Sequence, residues 1–251
     1  MIIRIGHLYP AYLNIYADRG NIAVLTRRAG ARGHGVVVEA IEPGRQVSLA
    51  SFDLLYIGGG QDREQAMIAP DLAARSDAIR AAVDDGVALL AVCGGYQLLG
   101  RGYRGRDGSW MPGAALFPHE TVAGERRMIG DVLLACSLGG RQFTVAGFEN
   151  HAGRTVLDPE AVPLGRVVSG FGNDGVSGFE GCVVERAVGT YLHGPLLPRN
   201  PDLADLLLSW ALAHAVRSEP RPLEPLPDTL ERRALSVAAD RARTRGGKPA
   251  R

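Results

Sequence analysis

Residues 89–99 read LLAVCGGYQLL: four apolar residues, a cysteine, two glycines and then, at once, a helical pattern. A strand-to-helix turn this sharp forces the residue at its apex into a strained backbone conformation at the carboxyl edge of a sheet. It also requires small residues two places either side, here Ala91 and Gly95. The apical Cys93 would face the start of the next helix, whose dipole and first amides favour thiolate over thiol. Its own amide and that of Gly94 are then placed to stabilise an oxyanion. Most cysteines are small buried hydrophobes, but strand, cysteine, glycine pair and helix in this order mark Cys93 as a nucleophile.

A nucleophilic thiol needs a base, and the chain has six histidines. His34 lies between glycines, His119 has a loop setting, His7 follows the first strand, and His214 is on the exposed-looking side of a late helix. His151 and His193 are the better candidates. His193 follows the run GTYL (189–192) and precedes Gly194 and Pro195. That is a strand end followed by a turn, the edge where sites collect in α/β sheets. The triple glycine 58–60 directly follows another apolar strand. Gly59 or Gly60 could supply a second backbone donor to an oxyanion, because glycine permits close approach.

These residues need a frame. Strand patterns at 1–5, 36–41, 53–57 and 87–92 alternate with helical patterns at 18–32 and 70–85. The 18–32 segment spaces Ile22, Leu25 and Ala29 helically, and 70–85 does the same with Leu72, Ile79, Ala82 and Val83. Repeated β-then-α units predict a mostly parallel sheet flanked by helices, with right-handed crossovers. Between 102 and 189 the apparent strands are short and separated by glycine (131–136, 142–147, 166–168 and 181–185), which predicts an antiparallel extension on the same core. A helix is expected over 202–216. Prolines 220, 222, 225 and 227 then make a stiff linker, and a capping-box pattern at 228–231 opens a last helix to about 242. The domain plan is therefore 1–216 for the body and 217–251 for a linker and helical tail.

Composition narrows the function. The 251 residues carry 28 basic and 27 acidic side chains, so nothing in the charge favours nucleic acid as a partner. No run approaches the ~18 apolar residues of a membrane span, and residues 1–10 lack a signal peptide's layout, which predicts a cytoplasmic protein. Cys93, Cys136 and Cys182 are too widely spaced for a zinc knuckle or a disulfide scaffold, and no metal-ligand cluster is seen. Lys248 is the only lysine and no GxxxxGK[ST] motif exists, so the chain has no phosphate-binding lysine loop of that kind.

The triple glycine, the Cys93 elbow and His193 together resemble the class I glutamine amidotransferase family, whose fold is flavodoxin-like. CGGYQ, GFENHAG (147–153) and YLHG (191–194) are similar to its cobyric-acid-synthase-like branch. The runs YADRGN (16–21), GGGQDREQ (58–65) and GFENHAGRT further resemble glutaminase subunits of the lipid II isoglutaminyl synthase (GatD) type. The likeness spans about residues 1–216.

The resemblance implies glutamine hydrolysis through a Cys93 thioester, with His193 as acid and base. Gly94 and Gly59 or Gly60 would bind the oxyanion, and Arg127 the substrate. Many members of the family carry a glutamate two residues after the histidine, where this chain has Pro195. The orienting acid must then be Asp18 or Glu149, come from a partner, or be dispensed with. No cofactor is expected on this chain. ATP and Mg²⁺ would bind a Mur-ligase-like partner in a heterodimer, which amidates the D-glutamate α-carboxyl of the lipid II stem peptide. The rival expectations are a cobyrinate-type amidase component and a thiol sensor on the same scaffold. The tail is either an arm for the partner or a solvated, arginine-rich end.

Overall fold

The computed structural model describes residues 1–15 and 19–245. Strands β1 (Ile2–Leu8), β2 (Gly35–Ile41), β3 (Leu54–Ile57) and β4 (Ala88–Val92) are joined in one sheet by β11 (Cys182–Val184) and β12 (Ala187–Thr190). Their order is β11-β12-β4-β3-β1-β2, parallel throughout except for β11 against β12. Every residue of β3, β4 and β12 is buried, the condition of strands covered on both faces. Helices α1 (Arg19–Gly30) and α5 (Pro201–Ala215) pack on each other, and α5 also lies on β1 and β4. Helices α2 (Asp62–Ala74), α3 (Ser76–Asp84) and α4 (Gly94–Leu98) complete the first half.

The antiparallel part is a second six-stranded sheet. Its centre is one long hairpin, β7 (His119–Leu138) and β8 (Arg141–Leu157), where several short strands were expected. Gly139 and Gly140 make the turn with φ of 59° and 70°, the two-residue loop that matches strand twist. Both remaining pairs of strands join β7 on the edge away from β8: β5 (Gly102–Arg104), with β6 (Trp110–Pro112) beyond it, near the start of β7, and β9 (Gly165–Ser169), with β10 (Phe179–Glu180) beyond it, near its end. β7 and β8 lose register between Ala123 and Met128, where the partner positions are Gly153 and His151. Residues 124–127 thus oppose Ala152 alone, and this bulge thrusts Arg127 out of the ladder.

Four sequence expectations change. The helix predicted over 70–85 is two helices that meet at Arg75, and the first begins at Asp62, with Pro70 in its interior. The polar run DREQ disguised that start, although Gln65 and Ile68 face inward. His214 is buried rather than exposed, held by Asp53 at 2.9 Å. His119 sits fully buried at the head of β7 rather than in a loop. The tail is no solvated end over its described part: α6 (Thr229–Arg245) lies on β7 and β8 and buries Ala238, Ala239 and Ala242.

Candidate active site

Cys93 stands between β4 and α4 with φ 51° and ψ −105°, a backbone that a residue with a side chain rarely adopts. The turn closes because Gly95 has no side chain. A Cβ there would meet the Gly58 carbonyl at 2.8 Å, and the Gly95 amide donates to that same carbonyl at 3.1 Å. The Cys93 amide donates to the Thr190 carbonyl at 2.8 Å, which removes it from the oxyanion donors expected from sequence. Gly94 and Gly60 are neighbours: a Cβ on Gly94 would stand 3.0 Å from the Gly60 nitrogen. The amides of these two glycines donate to no acceptor among the described residues.

Gly59 joins the two candidate catalytic residues. A Cβ at Gly59 would lie 3.0 Å from His193 Cε1 and 3.2 Å from Cys93 Cβ, so the two side chains converge on one bare backbone position. The Gly59 carbonyl accepts from the Ile15 amide at 3.2 Å. His193 is 1% exposed and lies beyond the end of β12. Its amide donates to the Phe148 carbonyl at 2.8 Å and its carbonyl accepts from the Phe148 amide at 3.3 Å. The bridge to β8 holds the histidine while the backbone turns at Gly194, φ 121°.

Behind the pair runs a buried polar chain. Gln97, one turn after Cys93, donates to the Tyr191 hydroxyl at 3.1 Å, and that hydroxyl lies 2.6 Å from Thr155 Oγ1. Tyr191 and Thr190 are gripped from below by Glu180, which accepts from the Tyr191 amide at 2.6 Å and from the Thr190 hydroxyl. Burial pushes the Glu180 carboxyl up to about 8, against the pull of these donors.

A cavity of about 660 Å³ opens over Cys93 and is lined also by Gly60, Gln97, Tyr103, Arg127 and His151. Arg127 is exposed at its mouth and braced through Nε to Asn150 Oδ1 and through Nη2 to the Asn150 carbonyl, both 2.8 Å. That grip leaves a guanidinium edge for a carboxylate. Glu149 is fully buried and accepts from the amides of Phe171 and Gly172 at 2.7 and 2.9 Å. Asp18 lies outside the described residues. Sequence reasoning missed Gln65, whose side-chain amide donates to the Gly60 carbonyl at 3.1 Å and steadies the glycine loop. The signal was present, since Gln65 closes the GGGQDREQ run.

Residues 4–201 match the family described as the CobB/CobQ-like glutamine amidotransferase domain. A lipid II isoglutaminyl synthase (glutamine-hydrolyzing) subunit GatD of Staphylococcus aureus is 36% identical over 241 residues, 96% of each chain. The subunit of the same name from Streptococcus pneumoniae is 38% identical over 84% of this chain and 80% of its own. Cobyric acid synthase of Pelotomaculum thermopropionicum is 33% identical over 68% of this chain but only 36% of its own length. Among solved structures, the glutaminase domain of Trypanosoma brucei CTPS with bound acivicin superposes with a TM-score of 0.50 at 12% identity, over 88% of this chain and 96% of that one. This last likeness bears on the fold alone. A cysteine elbow, a facing histidine and a glycine loop, matched along nearly the whole chain, place the protein in the GatD family of glutamine-hydrolysing lipid II isoglutaminyl synthase subunits, within the CobB/CobQ-like glutamine amidotransferases.

Proposed function

We propose that the chain hydrolyses L-glutamine to glutamate and ammonia at Cys93 and supplies the ammonia to a separate Mur-ligase-like subunit. The observation that carries this reading is Gly59, a bare backbone position whose missing side chain would meet both Cys93 Cβ and His193 Cε1 within 3.2 Å. The sulfur attacks the carboxamide carbon, and the amides of Gly94 and of Gly60 or Gly59 take the oxygen as it becomes negative. His193 gives its proton to the departing nitrogen, which leaves a thioester. The same imidazole then takes a proton from the water that attacks the thioester, and glutamate departs. Arg127 holds the substrate's α-carboxylate in its planar fork.

The acid that orients His193 is assigned to Asp18 or to the partner, ahead of Glu149, whose oxygens are occupied by two amides. Residues on both sides of Asp18 support it. The Ile15 amide meets the Gly59 carbonyl, and a Cβ on Gly20 would stand 2.5 Å from Pro195 Cγ.

The acceptor follows from the relatives' names. The partner, carrying ATP and Mg²⁺, amidates the D-glutamate α-carboxyl of the lipid II stem peptide to D-isoglutamine, in the cytoplasm at the inner face of the membrane. Match to nearly the full length of the Staphylococcus subunit, against about a third of cobyric acid synthase, supports this over a cobyrinate amidation. None of the described helices is long and apolar enough to cross a membrane.

The test is covalent. A glutamine-analogue electrophile should label Cys93, free glutamine should protect it, and Cys93→Ala should abolish both the label and glutamate release. Labelling that glutamine does not slow would indicate a thiol sensor instead.

A further inference from the structure

A glutamine in the cavity over Cys93 has two ends to satisfy. Its carboxamide meets the thiol at the floor, and its α-carbon, toward the mouth, carries a carboxylate and an ammonium together. Arg127 serves the carboxylate. The ammonium leaves bulk water to enter the cavity and needs acceptors there, of which an ionised carboxylate is the strongest.

Among the described residues that line the cavity, Asp62 is the one acid. It opens α2 directly after the glycine loop and Gln61. Its side chain is exposed, and its carboxylate makes no hydrogen bond or ion pair with another described residue. Asp62 and Arg127 line the same opening without pairing, since the guanidinium is turned to Asn150. Both act on Tyr103, which lines the cavity with them. Burial raises the phenol's pKa, the Asp62 charge adds to the rise, and the Arg127 charge opposes it. An anion and a cation that reach one tyrosine yet do not neutralise each other leave a place for a zwitterion between them.

The neighbouring charges favour the same arrangement. Arg63 also lines the cavity and is without a partner, so the mouth carries two guanidiniums against one carboxylate. That surplus attracts the substrate's carboxylate and repels its ammonium everywhere except beside Asp62. The other nearby acids, Asp107 and Glu125, line an adjoining hollow and not this cavity. An acid in the first turn of a helix also complements the helix dipole. That role accounts for a carboxylate at the start of α2 but not for one that faces the opening over Cys93.

We infer that Asp62 binds the α-ammonium of the substrate and so selects an α-amino acid amide over amides that lack the amino group. The assignment rests on the glutaminase reading and adds to it the residue that recognises the second charge of glutamine. With Arg127 on the carboxylate and Asp62 on the ammonium, the α-carbon is held at two points while the carboxamide reaches the thiol.

The test compares L-glutamine with glutaric acid monoamide, the same molecule without its amino group. The full chain is used, with its partner subunit where turnover needs it, and kcat and KM are measured for both amides. The unaltered protein should prefer L-glutamine by roughly 100-fold or more in kcat/KM, because a site built for a charged donor rejects the analogue lacking it. Asp62→Asn keeps the size of an exposed side chain and removes its charge. It should raise the KM for L-glutamine about tenfold or more while kcat and the kcat/KM of the monoamide stay within about threefold. A loss shared in proportion by the two amides overturns the assignment and makes Asp62 a support of the glycine loop. An unchanged KM for L-glutamine overturns it as well, and either result leaves glutamine hydrolysis standing. If the unaltered protein releases no glutamate from L-glutamine, the glutaminase reading fails first and the assignment of Asp62 with it.

Discussion

The backbone angles at Cys93 cost on the order of 1–3 kcal/mol, and the neighbours that enforce them are glycines with blocked Cβ positions. This local set was legible from sequence because it is contiguous: strand, cysteine and glycine pair fall within a few residues, and the triple glycine ends its own strand. Gln65 was not legible, since its target is a carbonyl of the loop and its orientation depends on a helix that opens in polar residues. The pairing of Asn150 with Arg127 was hidden for a similar reason, as a bulge sets that register. Gly59 gives the sharpest residue-scale prediction. Gly59→Ala places a methyl 3.0 Å from His193 Cε1 and 3.2 Å from Cys93 Cβ, and the glycine's φ is not in the left-handed region. The variant should fold with a melting temperature near that of the parent and lose about 100-fold in kcat for glutamine hydrolysis, as a small misplacement of reacting groups does. Steady-state kinetics beside a thermal melt would check it, and a kcat within twofold of the parent would contradict the placement.

Among the elements, the parallel strands were legible because a strand covered on both faces is a continuous apolar run, as in β3 and β4. The hairpin β7–β8 was not. Its residues alternate between buried and exposed and are interrupted by glycines, so it reads as fragments until a neighbouring sheet is supplied. His119, at the head of β7, belongs to this scale. Its ring lies 4.6 Å from that of Tyr96, and burial takes its pKa down to about 3. Unfolded, a histidine titrates near 6.5. Between those values the unfolded chain binds a proton that the native chain refuses, so this contribution is complete above pH 6.5 and shrinks as pH falls. By pH 5 the loss should be about 2 kcal/mol. Urea midpoints at pH 7 and pH 5 should diverge less in His119→Phe than in the parent, whatever the variant's baseline; equal divergence would count against the assignment.

At the scale of the whole molecule, the tail is part of the body. Arg28 at the end of α1 is 2% exposed and forks between Asp205 on α5, at 2.7 and 2.8 Å, and Asp228 just before α6, at 2.6 and 3.0 Å. The two carboxylates hold the guanidinium's pKa above its usual value despite burial. The Ser169 hydroxyl donates to the Ala242 carbonyl at 2.6 Å near the far end of α6. Sequence suggested the capping box and the proline linker, but the destination of the helix depends on a buried arginine two hundred residues earlier. Asp228→Ala leaves Arg28 with one carboxylate in a buried setting and should cost about 2 kcal/mol, read from the urea midpoint at pH 7. A midpoint unchanged by the substitution would mean that α6 is held by its alanine contacts alone. The same triad has a consequence for biosynthesis. Arg28 is made long before its second counter-ion, and at roughly 5–20 residues per second the ribosome delivers Asp228 about 10–40 s later. For most of that interval neither carboxylate exists, since Asp205 precedes Asp228 by only 23 residues, so the arginine can be buried with both its counter-ions only once the residues just ahead of α6 have been made.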